Sequence, residues 1–143
     1  IRIKDEPNRT AEMGQTLTAR AGEEAIVTIR MHMPAGPNPG GFVPVLDHVD
    51  MIAGTATAIE PNGDDERTAA NARVIMRAKA GDWHRNGNWL EIEQRITMQP
   101  GLRYLRLRGT NTDEGEPTPD RPGEDPWRDL WFYSNPIYVA SNP

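Results

Sequence analysis

The side chains able to do chemistry are few and scattered, and the tightest grouping of them is Asp47-His48-Val49-Asp50. On an extended backbone alternate residues share a face, so His48 and Asp50 project together. An imidazole and a carboxylate so placed are two ligands of a metal site that needs three or four. The competing reading is a strand-end histidine that bonds a neighbouring carboxylate and orients a loop. His32 and His84 stand on separate segments and supply no third ligand. There is no cysteine, which excludes disulfides, thiolate metal sites and a cysteine nucleophile. Ser134 and Ser141 are the only serines, and Ser134 lacks the G-x-S-x-G elbow of a nucleophile. The 21 acidic residues show no motif that would set two carboxylates across a glycosidic bond.

A second oxygen-rich stretch spans residues 112–129, with Asp113, Glu116, Asp120 and Asp125 among its acids. Calcium takes six to eight oxygens and favours flexible loops, so these four join His48 and Asp50 as metal candidates. The spacing matches no D-x-D-x-D-G loop, and four prolines point to an extended, solvated excursion. Calcium is thus the one ion considered, and no other cofactor is expected. Trp127, Trp131 and Tyr133 form a candidate binding surface for sugar rings or a partner protein. Trp131 and Tyr133 share a strand face, with Phe132 opposite. The alternative is that these rings cap the ends of a core.

The elements that must position these residues are strands. Residues 24–33 alternate cleanly, with Ala25, Val27, Ile29, Met31 and Met33 on one face. Three prolines and three glycines within residues 34–41 end that strand. Further strands are expected over 15–20, 48–53, 72–78, 89–99, 102–110 and 130–139, with a short edge strand near residues 1–4. Gly54 is expected to turn or bulge its strand. Pro100-Gly101 is expected to close an antiparallel hairpin between 89–99 and 102–110, with Arg103, Arg106 and Arg108 pairing with Glu91 and Glu93. The stretches 102–110 and 130–139 should pair in the core, and Asn135-Pro136 should kink the second of them into another sheet or register. The expected fold is all-β: one immunoglobulin-like antiparallel β-sandwich over residues 1–143, about seven or eight strands, with little or no helix.

Composition narrows the function classes. The net charge of −5 argues against a nucleic-acid partner, which requires a basic face. It is equally unsuited to an anionic membrane surface, and no apolar run approaches the ~20 residues of a membrane span. The chain opens at Ile1 in charged residues and closes at Ser141-Asn142-Pro143, so both ends read as cut from a longer protein. Lack of cysteine fits a bacterial cytoplasm or an exported domain alike.

Three motifs in order carry a family resemblance. They are His48-Val49-Asp50-Met51-Ile52-Ala53-Gly54, then Tyr104-Leu105-Arg106-Leu107-Arg108-Gly109, then the run from Trp131 to Val139 containing Ser134-Asn135-Pro136-Ile137. Together they resemble the β-sandwich region that follows the catalytic domain in PHP-type metal-dependent phosphoesterases. The His and Asp clusters that hold that family's metals are missing here, so no catalytic residue carries over. The resemblance implies a non-catalytic, C-terminal accessory domain whose partner is the catalytic domain of the same polypeptide. A carbohydrate-binding or adhesion module, using the exposed rings and calcium, is the second expectation.

Overall fold

Alternation decides where the strands lie. In the computed structural model, which describes residues 1–56, 71–115, 123 and 125–142, the described residues form eleven strands and no helix. These are β1 (Arg2–Asp5), β2 (Thr10–Glu12), β3 (Thr16–Arg20), β4 (Glu24–His32), β5 (His48–Thr55), β6 (Ala72–Lys79), β7 (His84–Asn86), β8 (Trp89–Thr97), β9 (Gly101–Thr110), β10 (Trp131–Tyr133) and β11 (Ile137–Asn142). They build two sheets, ordered β2-β1-β4-β8-β7 and β3-β11-β9-β5-β6, with β10 also on β9. All pairs are antiparallel except β3 with β11, which run parallel. The all-β sandwich is as expected. The count exceeds seven or eight because β2, β7 and β10, three residues each, are too short to show a period.

The core lies between the sheets. Ile3, Val27, Ile29 and Leu90 enter it from the first sheet, and Val49, Met51, Leu107 and Ile137 from the second, all buried. Burying each such side chain contributes roughly 1.5–3 kcal/mol.

Two expectations are corrected. β8 and β9 are not a hairpin: β8 pairs with β4 in the first sheet, while β9 lies in the second between β5 and β11. Each carries apolar residues on one face, so placing them in opposite sheets turns both sets into one core. The hairpin partner of β8 is β7, joined by the two-residue turn Gly87-Asn88 with Gly87 at φ 60°. Accordingly Glu91 bonds Arg30 on β4 at 2.9 Å, not an arginine of β9. The second correction is at Gly54, which neither turns nor bulges. β5 runs on to Thr55, and Gly54 is the place where the Tyr104 ring crosses the strand so closely that a Cβ would collide with it.

The irregularities fall elsewhere, and each is one residue long. Met51 pairs with Met76 but Ile52 pairs with Val74, leaving Ile75 as an extra residue in β6. Likewise Tyr133 pairs with Arg108 but Ile137 with Leu105, so Ser134, Asn135 and Pro136 span two residues of β9. Pro136 therefore shifts the register and leaves the chain on the same sheet and the same side of β9. Ser134 fills the gap, donating its N–H to the Leu107 carbonyl at 2.9 Å and accepting the Leu107 N–H on its hydroxyl at 2.9 Å.

Ser134→Ala should remove the hydrogen bond that the Leu107 N–H donates to the Ser134 hydroxyl beside that break. We expect a loss of about 1–3 kcal/mol, read as a lower urea midpoint with unchanged slope.

Candidate functional site

Register places the candidate residues on the outer face of the second sheet. His48 stands opposite Lys79 on β6 and Thr110 on β9, and Thr110 opposite Trp131 on β10. One row along, Asp50 stands opposite Arg77 and Arg108, and Arg108 opposite Tyr133. The sequence pair His48 and Asp50 does share a face, and the strands on either side bring arginines to it.

Burial sets the chemistry of this face. Asp50 is 0% exposed and His48 1%, although both sit on the outer side of the sheet. Arg77 grips the Asp50 carboxylate with two bonds, Nε to Oδ1 at 2.7 Å and Nη2 to Oδ2 at 2.8 Å. Such a fork satisfies a buried carboxylate better than a single donor would. His48 Nδ1 lies 2.8 Å from Asp47 Oδ1, and its Nε2 faces Asp50 Oδ2 at 3.7 Å without a hydrogen-bond partner. The bond from His48, assisted by Lys79 with its Nζ at 3.7 Å, holds the Asp47 carboxyl below the usual carboxylate range. The cover comes from the start of the acidic stretch. Arg108 Nη1 donates to the Glu114 carbonyl at 3.3 Å, and Gly115 passes close against the Arg77 guanidinium.

A metal on His48 and Asp50 would have to displace a guanidinium from the carboxylate it needs. Among the described residues no group of three or more histidines and acids is arranged to hold an ion. Asp113 is exposed. Asp125 acts locally, its Oδ1 accepting the Trp127 N–H at 2.9 Å and its carbonyl accepting the Arg128 and Asp129 N–H groups. Glu116 and Asp120 lie outside the described residues.

The aromatic candidates occupy one end of the sandwich. Trp131 is 54% exposed and meets Tyr133 edge to face, with centroids 5.5 Å apart at 71°. The Arg106 guanidinium sits 4.3 Å from the Tyr133 ring. Phe132 takes the inner face and packs over Gly109, where a Cβ would strike its ring. Beside it opens an apolar pocket of about 280 Å³, lined by Met31, Met33, Val45, Leu46, Trp131 and Phe132 among others. Trp127 sits against Gly40 and accepts a bond from Asn38 Nδ2 on its carbonyl at 2.7 Å. The proline-rich segment after β4 and the segment before β10 are thereby stitched together.

Sequence reasoning missed Arg77 and Arg108 as partners of the His48–Asp50 pair. A signal existed in the alternation of β6, where Arg77 and Lys79 share the face opposite Met76 and Ala78. Comparison with protein-family models, curated proteins and solved structures returns no match to the chain.

Arg77→Met should strand a buried carboxylate and cost roughly 3–5 kcal/mol, while pairing it with Asp50→Asn should recover much of that loss in a double-mutant cycle. The folded Asp47 carboxyl titrates below its unfolded value of about 3.9. Its contribution is therefore present above that value and fades as pH falls through the lower folded one. Asp47→Asn should flatten this acid limb when urea midpoints are followed against pH.

Proposed function

We propose that this chain is a non-catalytic accessory domain, immunoglobulin-like in topology, that packs on the catalytic domain of a larger metal-dependent phosphoesterase or related hydrolase. The observation carrying the reading is where the reactive groups and the large apolar groups lie. His48 and Asp50 are withdrawn from solvent and bonded to neighbours. Of the exposed large apolar side chains among the described residues, Val45, Trp131 and Phe132 gather instead around one apolar pocket, together with Met31, Met33 and Leu46. An apolar patch of this kind on an otherwise charged surface suits a protein partner.

Topology supports the immunoglobulin-like part. Taking β1, β4, β5, β6, β7, β8, β9 and β11 as strands A, B, C, C′, D, E, F and G gives A-B-E-D against G-F-C-C′. The three motifs behind the resemblance to PHP-type accessory regions fall on β5, β9 and the β10-β11 pair, which are neighbours in one sheet. A catalytic domain placed ahead of this one would enter along β1. There Arg2 pairs with Thr28 midway along β4, and going back from Lys4 to Arg2 the pairing runs toward the His32 end.

The second reading, a carbohydrate-binding or adhesion module, draws on the exposed Trp131 and Tyr133. Their edge-to-face packing at 71° offers no coplanar platform for a sugar, which weighs for a protein partner.

The isolated chain, assayed with manganese on bis(p-nitrophenyl) phosphate, should show no turnover above buffer, and vigorous metal-dependent hydrolysis would retire the accessory reading. A glycan array should be blank and the melting curve unmoved by calcium. A specific glycan signal, abolished by Trp131→Ala, would transfer the proposal to the second reading.

A further inference from the structure

We draw no further inference here: the strongest candidate, the apolar pocket lined by Met31, Val45, Trp131 and Phe132 at the aromatic end of the sandwich, belongs to the docking surface already described, and nothing in the structure shows what covers it.

Discussion

Asp50 has no exposure to water, and the second sheet is arranged around that fact. A carboxylate in such a place is tolerated only with charge and hydrogen bonds supplied on the spot. Arg77 supplies both from the neighbouring strand, and its two short bonds tie β6 to β5 in one register. Moving β6 by one residue would turn Arg77 away and leave the charge unpaired. The pair acts as a register pin more than as a source of net stability, since a buried ion pair roughly cancels its own desolvation. Arg108, buried on the same row, demands a cover for the outer face, and the backbone at Glu114 and Gly115 provides it. The opening of the acidic stretch is held by the Glu114 carbonyl, while Asp125 serves a local turn.

How much of this was legible follows the range of each interaction. β4 was readable because its pattern is local, apolar residues at every second position along nine residues, and β9 because Leu105 and Leu107 alternate with arginines. The pairing of 102–110 with 131–139 was readable from two strong strands closing a core. The partnership of β8 was not. A Pro-Gly turn says that the chain reverses, and both a hairpin and a crossing to the opposite sheet satisfy it. The shared face of His48 and Asp50 was legible from their spacing. Their role was not, because it depends on Arg77, which lies 27 positions further along. Glycine misled in the same way. At Gly54 the missing side chain makes room for a ring on another strand, while in the sequence it looks like punctuation.

The two single-residue bulges deserve to be taken together, because they solve one problem twice. A strand of fixed period two can serve only one inner and one outer set of residues. β10 and β11 share an edge of β9, yet odd-numbered Trp131 and Tyr133 face outward while odd-numbered Ile137 and Val139 face the core. The extra residue in Ser134-Asn135-Pro136 makes this possible, and Ser134 mends the ladder where it breaks. On the opposite edge Ile75 does the same for β6, keeping Arg77 outward on Asp50 while turning Arg73 to the inner side. One bulge thus puts rings on the surface at the end of the sandwich, and the other turns a cation inward at the β6 edge. Neither surface follows from the sandwich fold as such. Each depends on one inserted residue in a strand that is otherwise regular, so removing that residue should convert surface into core pattern while leaving the sheet order intact.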